Sequence, residues 1–440
     1  MILAGLMLSL TAASAQTEAN TEPTVITLEQ ALEIALSENV SVKVADMEIE
    51  RTGYAKKGTY AALFPTIDAV GSYQRTIKKQ VMVMAMNGQE NRIEVGMFNT
   101  INASASVAMP LVSAQLWQSL KLSGMDVELA VEKARSSRLE TVTQVKNAYY
   151  AILFAKEAFN VYKDVYENAV ANLAEAQKKY DAQKASEFEL IRAKTTVEQA
   201  IPNVYNAESS IILALWQLKA VLGVELDMNL DVAGSLADYS THMFYDIHQH
   251  DNASLEDNST MKQLALQAEM LAETVKLQKF ANIPTLAASF NFSYMSMAND
   301  VPLNQFTWVP YSTAGLSLSI PIFAGGKRYQ AIRQAKNQHQ QVVLQVENTE
   351  KQLKIAIRQS LNTMEMNMKS YYAAQNAVAS AQKAYNIAEA SYQVGRSTLI
   401  ELNDAQLALT QSRLAESQAI YNFVVAKAQL EQTLGHDFVE

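Results

Sequence analysis

Ile283-Pro284-Thr285-Leu286-Ala287-Ala288-Ser289-Phe290-Asn291-Phe292-Ser293-Tyr294 has an earlier echo in the same chain. The echo is Phe64-Pro65-Thr66-Ile67-Asp68-Ala69-Val70-Gly71-Ser72-Tyr73. Further on, Met109-Pro110-Leu111 is answered by Ile320-Pro321-Ile322, Tyr180 by Tyr392, Glu189-Leu190 by Glu401-Leu402, and Leu222-Gly223 by Leu434-Gly435. A long fixed period sets the architecture before any single element is assigned. Each repeat reads as two strands followed by two very long helices, a unit that points away from enzymes.

The strands show period-two alternation. Ile67, Ala69, Gly71 and Tyr73 alternate with Thr66, Asp68, Ser72 and Gln74, and Ile101, Ala103, Ala105, Val107 and Met109 alternate with Asn102, Ser104 and Ser106. In the second repeat Leu286, Ala288, Phe290, Phe292 and Tyr294 oppose Ser289, Asn291 and Ser293, and Leu316, Leu318, Ile320 and Ile322 oppose Gly315, Ser317 and Ser319. Such strands have one apolar and one polar face. They suit a half-buried soluble sheet or a membrane barrel, whose strands run ~9 to 11 residues.

The helices carry a seven-residue ladder. Ile152, Phe159, Tyr166, Leu173 and Tyr180 alternate with Ala169 and Ala176; Met364, Tyr371, Val378, Tyr385 and Tyr392 alternate with Ala374, Ala381 and Ala388. Large residues against alanine at this spacing predict coiled-coil packing with close backbones. From Ser113 to Asp181 the sole breaker is Gly124, and Lys327 to Tyr392 contains neither Gly nor Pro. Short links at 183–186 and 395–398 turn each long helix into a returning one, capped by Ser186 or Thr398 and stopped by Gly223 or Gly435. Ahead of the strands, the spacing predicts helices over 27–39 and 41–63, and over 260–282 in the second repeat; residues 224–258 read as irregular and acidic.

Composition narrows the class. Lys and Arg total 36 against 45 Asp and Glu, which argues against nucleic acid as a partner. There is no Cys, which excludes disulfides, thiolate metal sites, cysteine nucleophiles and a lipidated cysteine anchor. Ile2 to Leu10 followed by Ala13-Ser14-Ala15 reads as a signal peptide over residues 1–15, cleaved before Gln16. The expected organisation is then a first repeat over 16–223, an inter-repeat segment over 224–258 and a second repeat over 259–440. Four strands do not close a barrel and an open edge does not survive in lipid, so closure requires several copies. A dimer supplies eight strands, filled by its own side chains, and a trimer about twelve, enough to enclose a pore.

At this point the chain resembles the TolC-like outer-membrane efflux proteins, from about Ile26 to His436. The resemblance rests on Thr27-Leu28-Glu29-Gln30-Ala31-Leu32 near the start and on the strand-to-helix junction Ser319-Ile320-Pro321-Ile322-Phe323-Ala324-Gly325-Gly326-Lys327-Arg328. It rests equally on the helix-tip stretch Tyr392-Gln393-Val394-Gly395-Arg396-Ser397-Thr398-Leu399-Ile400-Glu401-Leu402-Asn403-Asp404-Ala405. It implies a mainly α protein with a membrane β-barrel: a homotrimer whose twelve-stranded barrel is embedded in outer-membrane lipid and continues into a twelve-helix periplasmic tunnel. The implied partners are a periplasmic adaptor (membrane fusion protein) and an inner-membrane pump of a tripartite efflux or type I secretion system. No cofactor is implied. Gln183 departs from the family, which often has Gly at that turn.

The resemblance makes Glu401 and Asp404 candidates for acidic rings at the periplasmic mouth, with Glu189, Arg192, Tyr392 and Arg396 beside them. Arg192 is expected to pair with Asp404 or Glu401. Pro65, Pro110, Pro284, Pro321, Gly325 and Gly326 mark the strand-helix junctions. His242, His248 and His250 with Asp246 and Asp251 form a local cluster without recognised ligand spacing, read as a solvated loop and not a metal site. A periplasmic coiled-coil adaptor or structural protein is the alternative from another class. Two hairpins flanked by paired amphipathic strands speak against it.

Overall fold

The computed structural model describes residues 23–86, 89–244 and 254–436, and it is mainly helical. The expected leader and the cluster residues His248, His250, Asp246 and Asp251 lie outside the described residues; His242 falls in a short 3₁₀ segment.

A short strand β1 (Thr24–Ile26) leads into helix α1 (Leu28–Glu38). Thr27 and Gln30 form the expected reciprocal capping box at its start. Helix α2 (Val40–Ala61) follows, then strands β2 (Thr66–Arg75), β3 (Gln80–Met86), β4 (Gln89–Val95) and β5 (Asn99–Val112). Helix α3 (Ala114–Asp181) is 68 residues long, roughly 100 Å, and α4 (Glu187–Leu222) returns along it. The second half runs β6 (Leu230–Val232), α5 (Ser259–Phe280), β7 (Thr285–Ala298), β8 (Trp308–Ser319), α6 (Lys327–Gln393) and α7 (Leu399–Leu434).

The principal sheet is antiparallel in the order β2-β5-β7-β8. Its register stacks like residues across all four strands. Ile67 faces Val107, Val107 faces Phe290 and Phe290 faces Ala314; Tyr73 faces Ile101 and Leu286 faces Leu318. One face is therefore mainly apolar, interrupted by Ser296 and Ser312, and the other carries Asp68, Ser72, Asn102, Ser104, Asn291 and Thr313 beside Val70 and Met295. Every residue of β2 and of β8 is exposed in the single chain, and the outer edges of both strands are unpaired.

Three expectations need correction. Strand β8 stops at Ser319, so Ile320 and Ile322 lie beyond it, because its only partner, β7, begins at Thr285, opposite Ser319. Residues 224–258 are not irregular throughout. β6 pairs in parallel with β1, Thr24 opposite Leu230 and Ile26 opposite Val232, and a 3₁₀ segment spans Leu236–Phe244. Three-residue strands leave no periodicity to read. Tyr149 clamps this pair, donating its hydroxyl to Ala233 O at 2.6 Å, while Lys156 pairs with Asp231 at 2.6 Å. Finally, the β3–β4 hairpin, unforeseen in the sequence, forms its own two-stranded sheet between β2 and β5.

Two helix junctions hold the middle of the molecule. Asn39 caps α2 by accepting from Ser41 N and Val42 N, and its amide donates to Val221 O at 2.6 Å, at the end of α4. Asn258 does the same for α5, accepting from Met261 N and donating to Thr433 O at 2.7 Å, at the end of α7. Each returning helix thus abuts the start of a short one. The stops Gly223 (φ 76) and Gly435 (φ 73) are left-handed and jammed against that start; a Cβ on Gly435 would lie 2.1 Å from Asp257 O. Arg135 seals the second junction, donating to Asp257 O and to Gly435 O. The main core surrounds these junctions, with Tyr149, Ile152, Leu153, Leu218, Leu222, Met364, Phe423 and Leu430 buried.

The upper part of α5 packs on α3 through a buried carboxylate. Glu273, its side chain 6% exposed, accepts from Lys121, Lys276 and Gln118 at 2.6 to 2.8 Å. The two ammonium groups hold its carboxyl down at about 2.

Two outcomes follow. Gly435→Ala combines left-handed strain with a backbone clash and should cost at least about 2 kcal/mol of stability, whereas Gly124→Ala, whose Cβ position meets nothing nearer than Lys56 Nζ at 4.0 Å, should be neutral or slightly stabilising. Denaturant unfolding of the detergent-solubilised protein compares them. Because the Glu273 carboxyl is depressed, its contribution is complete above pH 4.5 and disappears as pH falls toward 2. Glu273→Gln should therefore lower the thermal midpoint at pH 7 and converge on the parent near pH 2 to 3; a gap that does not change with pH contradicts this assignment.

Candidate functional site

At the end of the molecule farthest from the sheet, the two hairpins turn. In the second, Gly395 (φ 74) follows α6, with Gly395 N donating to Tyr392 O and Arg396 N to Ser391 O. In the first, Gln183 (φ 58) adopts the same left-handed conformation, with Gln183 N donating to Tyr180 O and Lys184 N to Lys179 O. The departure at Gln183 leaves the turn unchanged and places strain on a non-glycine residue.

The returning helices start from Ser186, which accepts from Glu189 N, and Thr398, which accepts from Glu401 N. Glu401 completes a capping box by accepting from Thr398 N at 2.9 Å, and it also accepts from the Ser397 hydroxyl at 2.6 Å. These bonds, Ser397 first, hold its carboxyl below the usual range. Its side chain therefore organises the turn as well as presenting charge. Asp404 is exposed one turn later. Arg192 is half-buried and forms no ion pair with Glu401 or Asp404 within the chain; the Glu401 carboxylate is instead taken up by Ser397 and Thr398 at its own turn. Arg396 is exposed.

Tyr392 joins the two hairpins. It is 2% exposed, in a small core with Ala176, Ala193, Ala381, Tyr385, Leu399 and Leu402. Lys179 Nζ lies over its ring at 3.7 Å and donates to its carbonyl oxygen. The Tyr392 hydroxyl is enclosed without a hydrogen-bond partner, with Glu189 as its acidic neighbour; burial first, then Glu189, pushes the phenol well above its ordinary range. Farther up the seam Arg413 pairs with Asp164 at 2.9 Å and Asn168 donates to Gln406. Lys179 was not foreseen. In the sequence it is one of two lysines in a last helical turn, where positive charge suits the helix dipole, and its partner lies 213 residues away.

The junction residues sit at the other end. Pro65 and Pro284 separate α2 from β2 and α5 from β7. Pro110 lies inside β5 at a bulge, Pro321 O accepts from Arg328, and Gly325 (φ 58) and Gly326 (φ 81) open α6. Aromatic side chains mark two levels. Tyr294 stacks on Trp308 at 5.5 Å on the apolar sheet face, and Phe64, Trp117, Phe323 and Tyr329 are exposed around the strand-helix junctions. Among the described residues no helix is long and apolar enough to cross a membrane, and no group of three or more His, Asp or Glu is placed to hold a metal.

Comparison with known proteins agrees with this architecture. The family model for outer membrane efflux protein matches residues 31–224 and 252–436. The chain belongs to that family. It is 21% identical to outer membrane protein TolC of Escherichia coli over 356 residues, covering 77% of this chain and 70% of the relative. It is 25% identical to outer membrane efflux protein BepC of Brucella suis over 289 residues, covering 63% and 62%. In fold it is similar to the CmeC outer membrane channel of Campylobacter jejuni (TM-score 0.75, 18% identity, 99% of this chain and 93% of that one). It is also similar to VceC of Vibrio cholerae (TM-score 0.72, 15% identity, 93% and 96%).

The Lys179–Tyr392 contact and the Gln183 turn should respond in opposite senses to substitution. Lys179→Ala should cost about 2 kcal/mol through loss of the ring contact and the charged hydrogen bond, while Gln183→Gly should gain about 1 kcal/mol by relieving left-handed strain. Opposite shifts in the unfolding midpoint are expected; shifts of the same sign would refute one of the two assignments.

Proposed function

We propose that this protein is the outer-membrane exit duct of a tripartite efflux or type I secretion system, passively conducting cargo delivered by an inner-membrane pump through a periplasmic adaptor. The observation that carries this reading is the principal sheet. Its strands of 10 to 14 residues are long enough to cross a bilayer at a tilt, all four turn their apolar sets to one face, and both edges are open. Membership of the outer membrane efflux family supports the same location, and the stacked Tyr294 and Trp308 suit a lipid interface.

Closure comes from three copies in this reading. They supply about twelve strands around a pore, and their hairpins form the wall of a tunnel about 100 Å long. Export through cleavage after Ala15 delivers the chain, and the barrel alone anchors it. The gate is the ring of helix tips. Within each chain Lys179, Tyr392 and Glu189 latch the two hairpins, and Glu401 and Asp404 bring carboxylates to the mouth in threefold rings. Two carboxylates ~6 Å apart repel by roughly 3 kcal/mol at an effective dielectric near 20, so a narrow mouth requires cations or a neighbouring Arg192 from another copy. A soluble periplasmic adaptor has no use for an apolar sheet face with open edges.

Single-channel recording in planar bilayers tests the duct and its gate together. Asp404→Ala combined with Glu401→Ala should reduce cation preference and block by multivalent cations. Unchanged ion selectivity would remove these carboxylates from the pore, and a chain that stays soluble and monomeric without detergent would sink the duct.

A further inference from the structure

Methionine collects at the end of the principal sheet that lies away from the helices. Six of the 18 methionines are there: Met82, Met84 and Met86 on β3, Met97 after β4, and Met295 and Met297 near the end of β7. The first three alternate, so the β3–β4 register puts them on one face of the hairpin, with Met82 opposite Ile93, Met84 opposite Asn91 and Met86 opposite Gln89. Val81 and Val83 take the other face, opposite Glu94 and Arg92. Every charged residue of the two strands, Glu90, Arg92 and Glu94, has that second face; the methionine face carries none.

Packing does not account for this stripe. Met82 and Met84 are 42% and 47% exposed, and β3 and β4 pair only with each other. Strand preference does not account for it either. An exposed strand favours β-branched side chains, and β3 uses them on its other face, whereas methionine is unbranched and flexible. A purely lipid-facing surface would not place Asn91 beside Met84. The choice recurs on β7, where Met295 and Met297 stand on the polar face of the sheet, opposite Asn102 and Thr100 and in line with Ser293 and Asn291. What methionine adds at such positions is a soft sulfur donor. The chain has no Cys, so thioethers are its only sulfur, and unlike thiols they are not consumed as disulfides in an oxidising exterior.

We propose that the Met82–Met84–Met86 stripe binds a soft monovalent cation, Cu(I) or Ag(I), through thioether sulfur. Neighbouring methionines on one face of a strand have Cα atoms ~6 to 7 Å apart. Three rotatable bonds in each side chain let two sulfurs converge on an ion between them with the backbone unchanged. Hard cations such as Mg(II) require oxygen ligands, which a row of thioethers does not supply, while Cu(I) takes soft sulfur. The hairpin itself carries the site, so the proposal stands apart from the duct reading. Within that reading the site lies at the outer mouth, and an outgoing soft cation passes Met295 and Met297 on the lumen face before it.

Silver nitrate is the probe, because Ag(I) has no redox chemistry under these conditions. Isothermal titration of the full chain in detergent and chloride-free buffer should show about one tightly held Ag(I) per chain, not displaced by excess Zn(II), since thioethers alone make a poor zinc site. Met82→Leu, Met84→Leu and Met86→Leu combined keep apolar volume and remove the sulfur. That variant should bind at least about tenfold more weakly, the range that loss of even an outer metal partner produces. Met84→Leu alone should show the same loss, because it leaves Met82 and Met86 roughly 13 Å apart, and it serves if the triple variant does not assemble. Met47→Leu removes a solitary methionine on α2, 67% exposed, and should change nothing. X-ray absorption at the silver edge should report sulfur neighbours in the parent. No stoichiometric uptake, displacement by Zn(II), undiminished binding in the hairpin variants, or an equal loss in Met47→Leu overturns the site and leaves the duct untouched.

Discussion

Unpaired backbone on two sheet edges is the constraint on which the rest of this molecule depends. β2 and β8 each present a row of N–H and C=O groups with no partner in the chain, on a sheet whose apolar face suits hydrocarbon. In lipid each unsatisfied group costs several kcal/mol, so a sheet of this kind is stable only when both edges are joined to others like it. Everything below the sheet serves to hold those edges in place at one end of the molecule. The long helices do this by rigidity: a seven-residue ladder of large residues against alanine fixes how close they run, and the buried Tyr371, Tyr385 and Tyr392 with Ala374 and Ala381 show that packing in the second hairpin. In the first, Ile152 is buried but Tyr180 is open at the tip.

The same economy of parts recurs at the helix ends. Asn39 and Asn258 each cap one helix and hold the end of another, and glycine stops of opposite handedness to the helix let the two meet without a side chain between them. At the tip the chain solves a different problem, how to hold two hairpins together where they carry acid, and it uses one lysine over one tyrosine ring beside a carboxylate. That contact is compact, charged and partly buried.

Much of this was legible in the residues. Period-two and period-seven patterns are local consequences of backbone geometry, so the four strands, the helices over 114–181 and 327–393, the caps Ser186 and Thr398 and the stops Gly223 and Gly435 were all readable, as was the family resemblance that ordered motifs carry. The apolar set of each strand followed from the same alternation. What the tertiary structure alone decided are the pairings between distant segments: Lys179 with Tyr392, Asn39 with Val221, β1 with β6, the Glu273 cluster and the end of β8 at Ser319. None of these has a signature in its own neighbourhood, because each depends on which surface another part of the chain brings within reach. The left-handed turn at Gln183 belongs to the same group: its own residue type argues for a different backbone, and only the packing of two long helices on either side overrides that preference.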